Sequence, residues 1–175
     1  MHIYIVNGAP GSGKTTFEQY VQDIIKEDVY IMSTVDTIKK AAQVLGWDGI
    51  KTPESRKFLS DLKQLWIGWN DGVFKDIKRR LNVIEKHYEV YDISPNRAIV
   101  FIDSREPAEI DRLKRELGAR TILIERPSGA DDARILNSSD RDVNNYTYDI
   151  KIINSGGLDY MRKLTEKFIE VENLK

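Results

Sequence analysis

The sequence predicts an α/β fold built on a five-stranded parallel sheet, and three observations carry this prediction. Short apolar segments alternate along the chain with longer segments whose apolar residues recur at helical spacing. A glycine-rich turn separates the first apolar segment from the first helical one. A continuous apolar run at 98–102 ends at Asp103, as expected for a strand covered on both faces. Such alternation is typical of a parallel sheet with helices on both sides, which makes three layers.

The predicted elements follow from apolar spacing and from turn signals. The predicted strands are 3–6, 29–32, 98–102, 121–124 and 150–153. The predicted helices are 14–26, a helix that begins at 33–36 and stops near Gly46, two segments from Pro53 to Tyr88 that are broken at 70–72, 106–117, and a last helix from Leu158. The polar stretch at 127–147 has little periodicity and reads as an excursion rather than a boundary, so a single domain over 1–175 is expected.

Composition narrows the class of protein. The 175 residues are 41% hydrophobic and 31% charged, with a formal net charge of −1, which argues against a nucleic-acid partner. The absence of cysteine excludes disulfides and thiol chemistry. The N-terminus opens into a short apolar run with no basic segment before it, and no apolar stretch approaches a membrane span of about 20 residues. We therefore expect a cytoplasmic protein with no membrane partner.

The turn after the first strand matches the phosphate-binding pattern G-x-x-x-x-G-K-[ST]. Glycines let successive backbone N–H groups face phosphate oxygens, and the following helix adds the positive end of its dipole. Lys14 is expected to reach the β- and γ-phosphates of ATP, and Thr15 to ligate Mg²⁺. The alternative is a tight strand–helix turn with no ligand. The residues expected to bind the nucleotide are Gly8, Ala9, Pro10, Gly11, Ser12, Gly13, Lys14, Thr15 and Thr16.

Two charged residues follow the third predicted strand. Asp103 stands at the carboxyl end of that strand, where ligands of parallel sheets bind, and is expected to hold the metal with Thr15. Arg105 is expected to clamp the phosphate of an acceptor. A capping aspartate and a solvated arginine are the structural alternative.

Asp36 and Arg126 are the other charged candidates. Asp36 follows the second strand, where it can approach metal-bound water or the acceptor, or simply cap the next helix. Arg126 leaves the fourth strand at the active edge and begins a predicted lid at 127–147, which also carries Arg134 and Arg141. Lid arginines neutralise a phosphoryl group in transfer.

These motifs resemble a known family. The run from Phe101 to Pro127, with Asp103-Ser104-Arg105 and Arg126-Pro127, and the tail from Asp149 to Leu158 resemble the phage P-loop deoxynucleoside monophosphate kinases, which are adenylate-kinase-like. The resemblance implies a P-loop NTPase fold of the nucleoside-monophosphate-kinase type, with a helical insertion at about 33–92 that binds the acceptor, and a lid. It implies ATP, Mg²⁺ and a nucleoside or deoxynucleoside monophosphate as acceptor, and it nominates Arg56 as an acceptor contact.

The middle of the chain leaves two interpretations open. Phe58, Trp66 and Trp69 lie at helical spacing, which favours a core stripe, although indoles also stack well on nucleobases. The basic run 78–80 is predicted to be a solvated helix face.

The sequence argues against a P-loop GTPase. It has neither the N-K-x-D guanine reader nor the D-x-x-G switch of GTPases. An ATPase that acts on a partner and a nucleotide-binding module without catalysis stay open as alternatives to a kinase. The residues do not identify the acceptor, a phage or cellular origin, or the oligomeric state, for which a homodimer stays open.

Overall fold

The computed structural model describes residues 1–26, 28–127, 143 and 146–174. Every strand and helix predicted from the sequence is present, with bounds shifted by a few residues at most. The strands are β1 (His2–Asn7), β2 (Val29–Ser33), β3 (Ile99–Asp103), β4 (Arg120–Glu125) and β5 (Ile150–Ile153). The helices are α1 (Lys14–Ile25), α2 (Asp36–Val44), α3 (Pro53–Asn70), α4 (Gly72–Val90), α5 (Pro107–Leu117) and α6 (Leu158–Val171), with a 3-10 turn at Pro95–Arg97.

The five strands form one parallel sheet in the order β2-β3-β1-β4-β5, which confirms the predicted sheet. β1 lies in the centre and pairs with β3 on one side and β4 on the other. The register places Val6 opposite both Asp103 and Ile122. The loop after β1 and the residues after β3 and β4 therefore leave the sheet at the same edge, which is where parallel α/β sheets bind ligands.

One face of the sheet carries an aromatic core. Tyr4 and Phe101 point to this face and pack against Phe17 of α1 and Phe168 of α6. The Phe17 and Phe168 rings meet edge to face, with 5.1 Å between their centroids. This packing holds α1, and with it the first turn of the helix after the glycine-rich loop, against the sheet.

The opposite face is covered by α5. Side chains alternate along a strand, so Ile5, Ile102 and Leu123 face away from the aromatic core, and all three are buried. α5 contacts β1 and β4 and buries its own Ile110 and Leu113. The sheet thus lies between two helical layers, which explains why β1 and β3 are apolar on both faces.

The chain divides into two compact units. The first contains Met1–Met32 and Asn96–Lys175, and the second is Ser33–Pro95. In the second unit, α3 packs against α2 and α4. This unit contains the helical region predicted at about 33–92, whose role in acceptor binding stays a prediction.

Among the described residues, none of the helices combines the length and the apolar composition that a membrane span requires. Of the predicted lid at 127–147, only Pro127, Val143 and residues 146–147 are among the described residues, and Arg134 and Arg141 lie outside them.

Candidate active site

The glycine-rich loop of the first unit runs from the end of β1 to the start of α1. Gly8 has φ +155°, and a Cβ there would lie 2.3 Å from the carbonyl oxygen of Ile124. Gly13 has φ +105°, and its Cβ would lie 2.7 Å from Cε of Met161. Gly8 is therefore required by its contact with the Ile124 backbone and Gly13 by its left-handed backbone, as a loop that wraps a ligand with its own main chain needs.

The N-terminus of α1 faces the inside of this loop. The helix begins at Lys14, and its N-cap residue is Gly13, which has no side chain to cap the first turn. The N–H groups of a helix N-terminus and the positive end of the helix dipole form a site for anions. The Lys14 ammonium donates a hydrogen bond of 2.6 Å to the Gly8 carbonyl, so its side chain lies across the loop.

Three side chains that the sequence reasoning did not assign to the site support the loop. Asn7 accepts a hydrogen bond from the Gly8 amide at 2.8 Å and donates to the Tyr148 hydroxyl at 2.9 Å. Asn154, directly after β5, donates to the Ser12 carbonyl at 3.2 Å. The side chains of Asn7, at the end of β1, and of Asn154, directly after β5, thus support the loop in addition to α1.

Asp103 ends β3 and Arg105 follows two residues later, next to the loop. Asp103 is the last residue of β3 and is in register with Val6, two residues before Gly8. The Ser104 hydroxyl donates to a carboxylate oxygen of Glu109 at 2.6 Å, which holds the start of α5 close to the strand end. Arg105 is half-buried, and its carbonyl accepts a hydrogen bond from Asn7 at 3.4 Å. The structure therefore brings Lys14, Asp103 and Arg105 to one edge of the sheet.

Glu18 is a buried carboxyl that the sequence reasoning missed. It lies on α1 one turn after Lys14, and only 2% of its surface is exposed. Burial, reinforced by the nearby Asp103 carboxylate, raises the pKa of Glu18 well above its usual range, and the Lys14 ammonium opposes this rise. Its position within the apolar face of α1 was the available signal, since a glutamate there interrupts the stripe of Phe17 and Val21.

Asp36 lies in the second unit, in the first turn of α2. Its carboxylate accepts a hydrogen bond from the Ser33 amide at 2.7 Å and forms an ion pair with Arg80 at 3.1 Å. Arg80 also lies 3.9 Å from Asp76, which is 8% exposed. The prediction that 78–80 is a solvated face is therefore wrong for Arg80, whose side chain is only 25% exposed, because two carboxylates draw the guanidinium inward.

Arg56 and Arg126 are both exposed. Arg56 lies in the first turns of α3, after the helix is capped by Thr52, whose side chain accepts from the Ser55 amide. Arg126 directly follows β4 at the ligand edge of the sheet. Their contacts with an acceptor stay predictions.

Two residues of the aromatic stripe of α3, Trp66 and Trp69, line an open apolar cavity. Trp69 is 77% exposed and Phe58 is also exposed, so the core interpretation is wrong for both. Trp66 is half-buried and packs so closely on Gly72 that a Cβ there would meet the indole at 2.1 Å. The cavity has a volume of about 400 Å³ and is lined by Thr37, Ile38, Ala41, Leu62, Leu65, Trp66 and Trp69.

The chain resembles a curated kinase in sequence. No protein-family model matches the chain. The chain is 28% identical over 185 residues to the uridine kinase of Chlamydia pneumoniae, covering 97% of this chain and 77% of that protein.

Solved structures extend the likeness to three dimensions. The dephospho-CoA kinase from Campylobacter jejuni matches with a TM-score of 0.51 and 14% identity, over 97% of this chain and 96% of that one. The chain shares the fold of P-loop kinases. The thymidylate kinase from Ehrlichia chaffeensis matches with a TM-score of 0.49 and 15% identity, over 98% of each chain.

Proposed function

We propose that this chain is an ATP-dependent phosphotransferase that moves the γ-phosphoryl group of ATP to a nucleoside or deoxynucleoside monophosphate. The observation that carries the proposal is the juxtaposition of the glycine loop, Lys14 and the strand-end Asp103 at one edge of the sheet. The P-loop kinase fold and the likeness to a uridine kinase support phosphoryl transfer as the reaction class.

The glycine loop would hold the phosphates of ATP. Backbone amides of the loop and of the first turn of α1 would bind the polyphosphate, and the left-handed glycines and the glycine N-cap of the helix support this role. Lys14 would exchange its bond with the Gly8 carbonyl for one with the transferring phosphoryl group. Its ammonium then stabilises negative charge that develops in the transition state.

The residues next to the loop fit a magnesium ion. Thr15 offers a hydroxyl and Asp103 a carboxylate, which are the hard oxygen donors that Mg²⁺ prefers. Asp103 is in register with Val6, two residues before the glycine loop. Thr15 and Asp103 would hold the ion, which when bound neutralises phosphate charge. No protein nucleophile is needed, because positioning and electrostatics supply most of the catalysis in phosphoryl transfer.

Arginines and an aspartate are proposed to organise the acceptor. Arg105 is half-buried next to the loop and carries the planar fork that binds phosphate through two hydrogen bonds. Asp36 and Arg56 in the second unit are proposed as acceptor contacts, and Arg126 as the cation that joins the lid to the site. The tryptophan-lined cavity of the second unit supports an acceptor with a planar base, since indoles stack on nucleobases.

A nucleoside is the second candidate acceptor. The sequence likeness to a uridine kinase favours a nucleoside, in which a hydroxyl rather than a phosphate would receive the phosphoryl group. The apolar lining of the cavity suits the base of either acceptor, so the choice depends on whether Arg105 meets a phosphate.

The acceptor panel decides between these candidates. We would measure ADP release from Mg²⁺-ATP with each ribo- and deoxynucleoside monophosphate, each nucleoside and dephospho-CoA, together with a control that contains no acceptor. Release that depends on monophosphates supports the proposal, and release that depends on nucleosides favours the second candidate. Release without any acceptor points to an ATPase that acts on a partner, and no release with any compound points to a binding module.

A further inference from the structure

Glu18 carries a carboxyl group on the buried face of α1, where an apolar side chain is expected. Its neighbours Phe17 and Val21 are fully buried in the aromatic core, and Glu18 is itself only 2% exposed. Helical side chains lean toward the N-terminus, so a residue three or four positions along lies over the preceding turn. The Glu18 carboxyl therefore lies beside the turn that carries Lys14 and Thr15.

Contacts within the described part of the chain do not account for this carboxyl. Glu18 interacts electrostatically with the Asp103 carboxylate, which opposes its charge, and with the Lys14 ammonium, which favours it. Its Oε1 atom is buried and has no hydrogen-bond partner among the described residues. Buried carboxyl oxygens are ordinarily satisfied by donors or by a cation, because an unsatisfied one loses the hydrogen bonds that it makes with water in the unfolded chain.

The oxygen donors of α1 and of the end of β3 suit a divalent cation. Two carboxyl groups, those of Glu18 and Asp103, and the hydroxyl of Thr15 come from α1 and from the end of β3. Hard oxygen ligands of this kind select Mg²⁺ and Mn²⁺ over softer metals. A cation of charge +2 would also balance the two carboxylates when Lys14 turns to the phosphates.

We propose that Glu18 and Asp103 together bind one divalent cation, Mg²⁺ or Mn²⁺, before any nucleotide is present. Glu18 contributes its buried Oε1, and Asp103 contributes its strand-end carboxylate. The inference rests on the proposed function in one respect, because the cation would be the one that accompanies ATP. The proposal adds a cation site that is filled before the nucleotide binds. Without Glu18, the site beside the loop would receive its cation only together with the nucleotide.

Binding of Mn²⁺ to the full chain without nucleotide tests this proposal. Electron paramagnetic resonance of free Mn²⁺ counts the ions bound by the wild type, and isothermal titration calorimetry gives the affinity. We expect one site in the wild type, and an affinity at least about tenfold lower in Glu18→Gln, which keeps the shape and removes the charge. Asp103→Asn should weaken binding as well, and the double variant should lose little more than either single one, because both carboxylates hold the same ion.

Matched variants separate this site from general surface charge. Glu170→Gln removes an exposed glutamate of α6 and should leave the Mn²⁺ affinity unchanged. Should Glu18→Gln fail to fold, as judged by circular dichroism and thermal unfolding, Glu18→Asp decides instead. It draws the carboxyl back by one methylene and should lower the affinity at least about threefold.

Several results would overturn the proposal. These are a wild type that binds no Mn²⁺ without nucleotide, a Glu18→Gln variant that binds it as tightly as the wild type, or an unchanged affinity in a folded Glu18→Asp. Phosphoryl transfer by a wild type that binds no free Mn²⁺ would remove this inference and leave the proposed function intact. Mn²⁺ binding at Glu18 in a protein that transfers no phosphate would do the reverse.

Discussion

The side-chain amide of Asn154 donates a hydrogen bond to the main-chain carbonyl of Ser12, with 3.2 Å between Nδ2 and the oxygen. Asn154 is 6% exposed and directly follows β5, whereas Ser12 lies in the middle of the glycine loop. The same Nδ2 atom would lie 3.0 Å from a Cβ at Gly13. The residue after the edge strand of the sheet thus supports the loop that is proposed to hold ATP.

Loss of this hydrogen bond should affect ATP binding by the loop more than it affects the stability of the fold. We expect Asn154→Ala to lower the free energy of unfolding by about 1 kcal/mol, the typical net value of one hydrogen bond. The apparent KM for ATP should rise by about tenfold, because the loop would no longer be held in its binding shape. Chemical denaturation and ATP titrations measure the two effects. Asn82→Ala, at an exposed position of α4, should change neither, and an unaltered ATP KM in Asn154→Ala would remove the loop-support role.

Gly8→Ala should be strongly destabilising. The new methyl would lie 2.3 Å from the Ile124 carbonyl and 2.7 Å from the Ser12 hydroxyl, at a φ of +155°. Relief of this overlap requires the loop to move away from β4, and we expect a loss of about 2 kcal/mol or more of stability. Thermal or urea unfolding checks this value.

A second glycine provides a matched control for this substitution. A Cβ at Gly68, inside α3, would meet nothing within 4 Å. Gly68→Ala should therefore stabilise the protein by about 0.5–1 kcal/mol, because alanine loses less backbone freedom in a helix. Equal effects of the two substitutions would contradict the close contact between the loop and β4.

Asp149 links acid stability to the start of β5. Burial by itself would raise the pKa of Asp149, but hydrogen bonds from Lys114 and from Thr121 outweigh it and hold the pKa below its usual range. The ionised carboxylate therefore stabilises the fold above the unfolded-state pKa of about 3.9, and this contribution is lost as the pH falls through the lower folded-state pKa.

Asp149→Asn should remove that contribution. At pH 7 we expect a loss of about 2 kcal/mol, because a charged acceptor of several hydrogen bonds is replaced by a neutral one. The gap between wild type and variant should narrow as the pH falls below about 4. Urea unfolding at pH 7, 5, 4 and 3 measures it. Asp61→Asn breaks an exposed ion pair with Lys57 and should cost little at any pH, and a constant gap for Asp149→Asn would refute the assignment.

Arg80→Ala tests the proposed role of Asp36. Arg80 pairs with Asp36 at 3.1 Å, so its removal leaves that carboxylate without the guanidinium that orients it. If Asp36 contacts the acceptor, the acceptor KM should rise by about tenfold while the ATP KM changes little. Arg79→Ala removes a neighbouring arginine that pairs with Asp76 and is 67% exposed, and it should have a smaller effect. Equal kinetics in both variants would leave Asp36 as a helix-start residue only.

Most of the fold could be predicted because its signals are local. The apolar runs that became β1 and β3 and the glycine loop between β1 and α1 are contiguous in the sequence. The order of the strands in the sheet was not predicted. It depends on how strands that are distant in sequence pair with one another, and no single segment carries that information. The parallel arrangement itself followed from the alternation of strands and helices.

The site was predictable only where a short motif contains it. Gly8 to Thr15 and Asp103 were identified because their spacing and strand-end position carry the chemistry. Asn154 contacts the loop and Tyr148 contacts Asn7 just before it, each from about 140 positions away in the chain, and no local pattern links them to the site. Arg80 was predicted to lie on a solvated face because its partner Asp36 is 44 positions away in the sequence.

The exposed tryptophan of α3 shows the limit of helical spacing. Periodicity indicates which side chains share a face, but not what covers that face. Trp69 shares its face with Leu65, and both remain more than half exposed. The stripe therefore lies on a helix as predicted, but Phe58 and Trp69 do not lie in the core.

The most direct test of phosphoryl transfer compares Lys14→Ala with Lys167→Ala in acceptor-dependent ADP release. Lys14 lies across the glycine loop, whereas Lys167 is an exposed residue of α6. We predict that Lys14→Ala lowers kcat by at least about 100-fold, as expected when one cation is removed from a charged transition state, and that Lys167→Ala retains the wild-type rate. Equal rates in Lys14→Ala and the wild type would contradict the account, because the loop would then not be where ATP reacts.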